Sequence, residues 1–346
     1  MAKTMRVAVY YKNSDIRIEE RPVPEIGPGE LLMKIYSSGV CGSDVMEWYR
    51  IHKAPLVLGH EVAGEVAKVG EGVENFSVGD RIVVSHHVPC MVCEHCRRGH
   101  ETVCETLFRT NFDPGGFCEY VRVPAVNVRN GTYRIPDGVS FDEACFAEPV
   151  ACVLRGQRRA NVGPGKSVLV LGSGISGILH IHLACALGAG PVAATDLDPF
   201  RIEAARRFGA ARAFLCEDYS PEKFREMNDG RLADVVISTA GSRRVFEQAF
   251  AGAERGGVIL VFAPAMPGET IPMPVNDLFW KTDMTITTTY AGSPADHVTA
   301  LRMIGAGRLK VSEMITHRFG LADTTKAFLK VAAGTDSIKV IVHPQE

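Results

Sequence analysis

The stretch Ser167-Val-Leu-Val-Leu-Gly-Ser-Gly-Ile-Ser-Gly177 decides how the second half of this chain folds. Its apolar run is typical of a buried strand, and the pattern Gly-x-Gly-x-x-Gly follows directly. Gly172 permits a tight turn, Gly174 lets backbone N–H groups approach a pyrophosphate, and Gly177 lets a helix pack closely on the strand. The alternative is a glycine-rich turn with a purely structural role. We expect a dinucleotide-binding turn that consists of Gly172, Gly174, Ile175, Ser176 and Gly177.

An acidic residue after the next strand indicates which dinucleotide binds. Asp196 ends that strand and lies about 20 residues beyond the glycine pattern, where a carboxylate binds the ribose hydroxyls. Asp198 directly precedes Pro199, so it is expected to cap a helix instead. Because a carboxylate disfavours a 2′-phosphate, we expect NAD rather than NADP. Arg201 is a further cofactor-binding candidate, and it keeps NADP open.

The surrounding sequence indicates an α/β protein with two domains. Strand and helix patterns alternate over about residues 151–290, which predicts a doubly wound parallel sheet of the Rossmann type. Residues 1–150 instead contain short β-branched runs separated by Pro and Gly clusters, which indicates a β-rich domain. The segment 291–346 is expected to return to that first domain.

The strongest metal-binding motif is a run of four cysteines, Cys90-x2-Cys93-x2-Cys96-x7-Cys104. Closely spaced thiolates repel one another unless a cation lies among them, and four of them form a closed tetrahedral zinc site. An iron–sulfur cluster is the main alternative, but in ferredoxins the fourth cysteine follows after three residues and precedes proline. Free thiols are the other alternative. We expect a structural zinc in a lobe at about residues 86–108.

Three shorter motifs lie far apart: Cys41-Gly-Ser-Asp44, Gly59-His-Glu61 and Glu148-Pro149. Taken singly, they suit a core thiol, a loop histidine and a surface acid. Taken together, a thiolate, an imidazole and one or two carboxylates make an incomplete metal shell that leaves room for water or substrate. We expect Asp44 to orient the His60 ring and Ser43 to pass a proton.

Composition excludes several classes of protein. The 346 residues are 46% hydrophobic and 23% charged, with 38 basic and 40 acidic side chains, so the net charge is −2. Nothing in this balance favours nucleic acid. No apolar run approaches the roughly 20 residues that span a membrane, and the start of the chain does not resemble a signal peptide. Ten cysteines in such a chain predict a cytoplasmic location with reduced thiols.

The order of these motifs resembles the zinc-containing medium-chain dehydrogenase/reductase family, and in particular its sorbitol (polyol) dehydrogenase branch. The resemblance covers nearly the whole chain. It implies a GroES-like catalytic domain over residues 1–150, a Rossmann NAD-binding domain over 151–290, a returning segment over 291–346, and a site in the cleft between the domains. By position it implies a catalytic zinc bound by Cys41, His60 and Glu148, with Glu61 as an exchanging or neighbouring ligand.

The sequence also departs from that family. Met46 stands where the family often has a histidine that relays the proton, so bound water, Glu61 or His52 must serve. The loop from Cys41 to His60 is shorter than is usual in sorbitol dehydrogenases, and no arginine lies near Ala291 where polyol enzymes often have one. A ring or a shorter polyol is therefore expected rather than a linear hexitol. Trp48 and Tyr290 are expected to line the substrate pocket.

Taken together, the sequence predicts an enzyme with two zinc ions per chain that uses NAD to oxidise a secondary alcohol of a polyol, sugar or cyclitol to a ketone. Amino-alcohols, alkanols and CoA-linked hydroxy compounds remain alternative substrates. A non-enzymatic zinc- and NAD-binding sensor is the alternative from another class. We expect a small-molecule substrate and a homodimer or homotetramer, with no nucleic-acid or membrane partner.

Overall fold

Apolar and β-branched runs form the strands of this computed structural model, which describes residues 3–346. The strands are β1 (Thr4–Lys12), β2 (Asp15–Pro22), β3 (Leu31–Val40), β4 (Leu56–Val57), β5 (Glu61–Val69), β6 (Arg81–Ser85), β7 (Tyr120–Val123), β8 (Thr132–Arg134), β9 (Val168–Leu171), β10 (Val192–Asp196), β11 (Arg212–Leu215), β12 (Ala233–Ser238), β13 (Ala253–Val261), β14 (Thr285–Thr288), β15 (Ile315–Gly320) and β16 (Lys339–His343).

Helices are short in the first part of the chain and longer where strand and helix alternate. They are α1 (Glu47–Arg50), α2 (Glu94–Arg97), α3 (Glu105–Arg109), α4 (Ala125–Gly131), α5 (Phe141–Ala144), α6 (Ala147–Arg159), α7 (Ile175–Ala186), α8 (Pro199–Arg207), α9 (Pro221–Met227), α10 (Arg243–Gly252), α11 (Val275–Phe279), α12 (Pro294–Gly305) and α13 (Thr324–Ala333), with 3-10 turns at Ile51–Lys53, Glu101–Val103, Val311–Met314 and Leu321–Asp323. No helix among residues 3–346 is both long enough and apolar enough to cross a membrane.

The chain divides into two units, and the first joins the residues up to Ala151 with Ala291–Glu346. Its larger sheet has the order β15-β16-β3-β5-β6-β8, with β7 also paired to β3, and its smaller sheet has the order β2-β1-β4. The pairing of β16 with β3 brings the C-terminal segment into the larger sheet. Phe328 of α13 packs in the core of this unit against the rings of Tyr10 and Phe117.

The second unit, Cys152–Tyr290, contains one six-stranded sheet. Its order is β11-β10-β9-β12-β13-β14, and every neighbouring pair is parallel. Strands β9 and β10 are buried along their whole length, as expected for a parallel sheet covered on both faces. The strand order reverses between β9 and β12, and ligands of such sheets bind at the carboxyl ends of the strands at that point.

Strand register brings distant residues together at one end of the larger sheet in the first unit. Glu61, the first residue of β5, is opposite Gly39 of β3 on one side and Ser85 of β6 on the other. Cys41 follows the last residue of β3, and Lys339 is the first residue of β16. The ends of β3, β5, β6 and β16 therefore surround one place.

Candidate functional site

Cys41, His60 and Glu61 form a compact group, called here the Cys41 group. One ligand atom from each lies within 4.8 Å of those of the other two. The His60 side chain is only 11% exposed, and that of Glu61 is 1% exposed. A sulfur, an imidazole nitrogen and a carboxylate oxygen suit zinc and leave a coordination position open, as in catalytic zinc sites.

Asp44 holds two members of this group in place. Its side chain is fully buried, and one oxygen accepts a hydrogen bond of 3.1 Å from the backbone N–H of Cys41. The other oxygen lies 3.3 Å from Nδ1 of His60. Burial alone would lower the pKa of His60, but Asp44 and Cys41 hold that pKa well above its usual value. This arrangement fixes the ring through Nδ1 and leaves Nε2 for a metal, the role that the sequence predicted for Asp44.

Ser43 lies between Cys41, a predicted metal ligand, and the cation Arg50. Its hydroxyl is 3.5 Å from the Cys41 sulfur and accepts a hydrogen bond of 3.1 Å from Nη2 of Arg50. Arg50 also donates to the backbone carbonyl of Ser43 at 2.9 Å and lies 3.6 Å from Asp44. The arginine thereby fixes Ser43 beside the Cys41 group.

Glu61 has a cationic partner that sequence analysis missed. Nζ of Lys339 contacts Oε2 of Glu61 and also donates to the backbone carbonyl of Val40 at 3.3 Å. The lysine side chain is completely buried. Although burial lowers it, the pKa of Lys339 is raised overall by Glu61 and Cys41, so the lysine is charged. The Glu61 carboxylate is therefore already neutralised by a protein cation.

Glu148 lies in the first turn of α6 and is partly buried. It does not belong to the Cys41 group, whose ligand atoms lie within 4.8 Å of one another. The structure thus brings together three of the four residues predicted to surround the catalytic zinc, with Glu61 rather than Glu148 as the carboxylate. The assignment of Glu148 as a ligand stays a prediction.

His86 also lies next to the Cys41 group. The centroids of its ring and the His60 ring are 4.8 Å apart, and the His87 ring follows at 3.9 Å. Burial, with added repulsion from His60 and His87, holds the pKa of His86 well below its usual value. A neutral imidazole offers one hydrogen-bond donor and one acceptor. The motifs in the sequence gave neither histidine a role.

The four predicted cysteines form a second group, called here the four-cysteine lobe (Cys90, Cys93, Cys96 and Cys104). All four sulfur atoms lie within 4.8 Å of one another. The sulfurs of Cys93 and Cys96 are 3.5 Å apart, and those of Cys90 and Cys104 are 3.6 Å apart. A tetrahedron of sulfurs around zinc has edges of about 3.8 Å, given zinc–sulfur bonds of about 2.3 Å. The geometry therefore fits zinc.

Local electrostatics in the lobe also suit a cation. Partial burial raises the pKa of Cys104, but backbone N–H groups, that of Cys90 first, outweigh it and lower this pKa to about 6. Burial and the neighbouring Cys93 raise the pKa of Cys96 to about 12. The Cys104 thiol thus loses its proton readily, whereas the Cys96 thiol keeps its proton. This difference is expected when no cation neutralises adjacent thiolates. Binding of a metal removes that conflict.

The glycine pattern forms the predicted turn between β9 and α7. Gly172 has a φ of +99°, a backbone conformation that suits glycine. Gly174 is the N-cap of α7 and provides no side-chain cap, so the first N–H groups of the helix are left for a ligand. A Cβ on Gly177 would lie 1.9 Å from the carbonyl oxygen of Gly172. Ile175 and Ser176 complete the turn as the first residues of the helix.

Asp196 anchors this turn as well as ending β10. One of its oxygens accepts a hydrogen bond of 2.7 Å from the backbone N–H of Ser173, and the other accepts one of 3.0 Å from that of Asp198. Arg201 lies 4.0 Å from the Asp196 carboxylate. Asp198 accepts from the N–H of Phe200 at 2.9 Å, so its predicted role as a helix cap is confirmed.

The predicted pocket residues lie in different units. Trp48 is in α1, half-buried, with its ring 5.9 Å from that of Tyr49. Tyr290 is the last residue of the second unit and is 50% exposed. Met46 occupies the N-cap position of α1, and His52 is exposed in the following 3-10 turn. Their roles in substrate binding or proton transfer stay predictions.

Sequence reasoning missed three residues at the Cys41 group: Arg50, Lys339 and His86. Only one left a usable signal. Lys339 interrupts the apolar run from Ile338 to Val342, and a charged residue inside a buried strand calls for a partner. Nothing in the sequence indicates that Arg50, the last residue of the short helix α1, would face Ser43.

Comparison with known proteins agrees with this geometry. Residues 27–137 match the alcohol dehydrogenase GroES-like domain, and residues 176–306 match the zinc-binding dehydrogenases. The chain belongs to the zinc-binding dehydrogenase family, with a GroES-like and a Rossmann-like domain. It is thus an alcohol oxidoreductase, and the predicted resemblance and fold class are confirmed.

Within this family the chain belongs to the sorbitol dehydrogenase-like branch. It is 30% identical to the sorbitol dehydrogenase of Bacillus subtilis over 99% of this chain and 98% of that protein. The structure of 2R,3R-butanediol dehydrogenase from Bacillus subtilis matches with a TM-score of 0.85 and 28% identity, covering 98% and 99% of the two chains. The structure of a zinc-binding dehydrogenase from Sinorhizobium meliloti bound to NADP matches with a TM-score of 0.88 and 26% identity. The match covers 99% of this chain and 100% of that chain.

Proposed function

We propose that this protein is a zinc- and NAD-dependent dehydrogenase that oxidises a secondary alcohol of a polyol, sugar or cyclitol to a ketone. The observation that carries the proposal is the Cys41 group, an incomplete N/S/O shell beside the hydroxyl of Ser43. The similar proteins named above act on sorbitol and on butanediol, which both carry vicinal hydroxyls. The reaction converts the alcohol and NAD⁺ into the ketone, NADH and a proton.

The residues around the Cys41 group have distinct roles in this proposal. Zinc held there supplies Lewis acidity that lowers the pKa of the substrate hydroxyl. Ser43 relays the proton of that hydroxyl: it takes up this proton while its own hydroxyl proton passes toward the nicotinamide ribose and solvent, and Arg50 keeps the Ser43 oxygen in place. Asp44 maintains the orientation of His60 through its Nδ1.

The carboxylates are assigned by their surroundings. Lys339 neutralises Glu61, so Glu61 is the weaker ligand. It either binds the metal only part of the time or lies next to the ligands without binding the metal. Glu148 is the proposed third strong ligand, together with Cys41 and His60. The four-cysteine lobe binds a second zinc that stabilises the fold, since four thiolates leave no position for substrate.

The cofactor binds at the turn from Gly172 to Gly177 in this proposal, with its pyrophosphate at the start of α7. Asp196 binds the ribose hydroxyls, and its carboxylate disfavours a 2′-phosphate. Arg201, 4.0 Å from Asp196, is neutralised in part by that carboxylate, which supports NAD over NADP.

Assembly and location are part of the proposal. Strand β14 is at the edge of its sheet, and large apolar side chains near it are exposed, among them Phe279 (70%), Trp280 (67%) and Ile286 (40%). An exposed apolar surface at a sheet edge supports a homodimer or homotetramer. None of the ten cysteines forms a disulfide bond in the described residues, which supports a cytoplasmic location.

A steady-state panel tests the function. The zinc-loaded protein should reduce NAD⁺ with a higher kcat/KM for vicinal polyols, sugars or cyclitols than for ethanol, 2-butanol or benzyl alcohol. A site that pairs hydroxyl groups rejects analogues that lack them. If simple alkanols rank above every polyol, the substrate class proposed here is wrong.

A further inference from the structure

His86 is placed beside the metal ligand His60 by strand register. In the antiparallel pair β5–β6, Glu61 is opposite Ser85. One residue further out on both strands, His60 is therefore opposite His86, and their ring centroids are 4.8 Å apart. Both histidines directly adjoin paired strand residues, so the register of β5 and β6 sets their positions.

Neighbouring rings hold the His86 ring in place, but one of its nitrogen atoms lacks a hydrogen-bond partner within residues 3–346. It packs against the His87 ring at 3.9 Å and near the Phe112 ring at 6.4 Å. Its Nδ1 is buried and has no hydrogen-bond partner among the described residues. A buried polar atom without a partner is costly, and in native proteins it calls for a ligand or another specific explanation.

The groups close to His86 suit a hydroxylated ligand. Ser43 and Arg50 are polar, and Arg50 holds the Ser43 hydroxyl beside Cys41. Aliphatic side chains would be expected at a site that selects simple alkanols. Here an imidazole lies beside His60, and a hydroxyl held by a guanidinium lies beside Cys41.

We propose that the His86 ring hydrogen-bonds a second hydroxyl of the substrate, adjacent to the hydroxyl that is oxidised. His86 is thus a specificity-determining residue that makes the site prefer vicinal diols to monohydric alcohols. This inference rests on the proposed function and deepens it. Without the His86 ring, the second hydroxyl of a bound diol would have no hydrogen-bond partner inside the site.

Two variants and a matched pair of substrates test this inference. His86→Phe keeps a flat ring of similar size and removes both nitrogens, whereas His86→Gln keeps a donor and an acceptor. The substrates are 2,3-butanediol and 2-butanol, which differ only in the second hydroxyl. We expect H86F to lower the ratio of kcat/KM for diol over monohydric alcohol at least tenfold, the size of one lost hydrogen bond. H86Q should retain most of the ratio.

Two readouts other than activity accompany the ratio. Zinc content should equal that of the wild type in both variants, since His86 is not a ligand. The Kd of 2,3-butanediol, measured by calorimetry on the zinc-loaded protein with NADH bound, should rise in H86F and not in H86Q. If H86F does not fold, His86→Ala takes its place in the same comparison.

The outcomes separate this inference from the proposed function. A variant that folds, holds zinc and keeps the wild-type ratio overturns the role of His86. Equal losses for both substrates also overturn it, since they indicate a structural role only. A wild-type protein that prefers 2-butanol overturns the polyol function itself, and the inference with it.

Discussion

Lys339 and Glu61 form a buried ion pair at the Cys41 group. Both side chains are almost completely buried, at 0% and 1% exposure. Removing two charges from water costs several kcal/mol per ion, and the pair recovers that cost only through close contact and further hydrogen bonds. Lys339 meets this condition by also donating to the carbonyl of Val40. The lysine thus places a buried cation against Glu61, next to Cys41.

Lys339→Met should lower the free energy of unfolding by about 3–5 kcal/mol, because it leaves a buried carboxylate without its cation. The matched control is Lys330→Met, whose partner Asp336 is 59% exposed; its loss should be below about 1 kcal/mol. Denaturant unfolding of the zinc-loaded proteins measures both. Adding Glu61→Gln to the first variant should recover part of the loss. Equal stability of the two lysine variants would show that Glu61 is compensated by other groups.

The turn from β9 to α7 has no space for a side chain at Gly177. Gly177→Ala would place a Cβ 1.9 Å from the Gly172 carbonyl oxygen, so the helix must move away from the strand. We expect the Kd for NADH to rise at least tenfold and the melting temperature to fall, because the N–H groups that face the pyrophosphate shift with the helix. Gly163→Ala, where a Cβ would meet nothing within 4 Å, is the control. NADH fluorescence titration and thermal unfolding measure the two effects. Normal NADH affinity in G177A would place the dinucleotide elsewhere.

A second element, the C-terminal strand β16, is fastened to α5 by an ion pair. His343 Nε2 lies 2.8 Å from an oxygen of Asp142, whose other oxygen accepts from Arg318 of β15 at 2.8 Å. The hydrogen bond to Asp142 raises the pKa of His343 above its ordinary 6.5. Burial alone would raise the pKa of Asp142, but hydrogen bonds, that of His343 first, lower it overall. Both shifts favour the charged pair in the folded state.

The pair predicts a pH dependence of stability with a definite sign. Because the folded pKa of His343 is raised, its contribution is complete below about pH 6.5 and is lost as pH rises through the folded pKa. The contribution of Asp142, whose pKa is lowered, is present above its unfolded pKa and is lost only in acid. The difference in unfolding free energy between wild type and His343→Gln should therefore shrink from pH 6 toward pH 9. A constant difference over that range would mean that His343 is not protonated in the folded protein.

At the scale of the whole molecule, motifs whose residues are close in sequence could be predicted, and contacts between distant segments could not. The four-cysteine lobe and the glycine turn depend on spacings within about fifteen residues, which local geometry fixes. The contact of Lys339 with Glu61 spans 278 residues and depends on the pairing of β16 with β3. His86 is opposite His60 only because β5 and β6 are antiparallel neighbours in this register. Neither contact leaves a periodic pattern in the sequence.

We propose that one chain carries an open zinc site at the Cys41 group, where the chemistry occurs, and a closed zinc site in the four-cysteine lobe, which supports the fold. Cys41→Ser and Cys93→Ser separate the two, because each removes one sulfur from a different group. A four-thiolate site contributes more to folding than an open one. C93S should therefore lose stability, whereas C41S should stay folded.

The decisive measurement is zinc content together with NAD⁺ reduction in purified C41S, beside wild type and C93S. We predict two zinc ions per chain in the wild type, and one zinc, an unchanged melting temperature and no detectable NAD⁺ reduction in C41S. Two zinc ions with full activity in C41S would show that Cys41 is not a ligand of a catalytic zinc, and iron in place of zinc in the wild type would show that the metal is assigned wrongly.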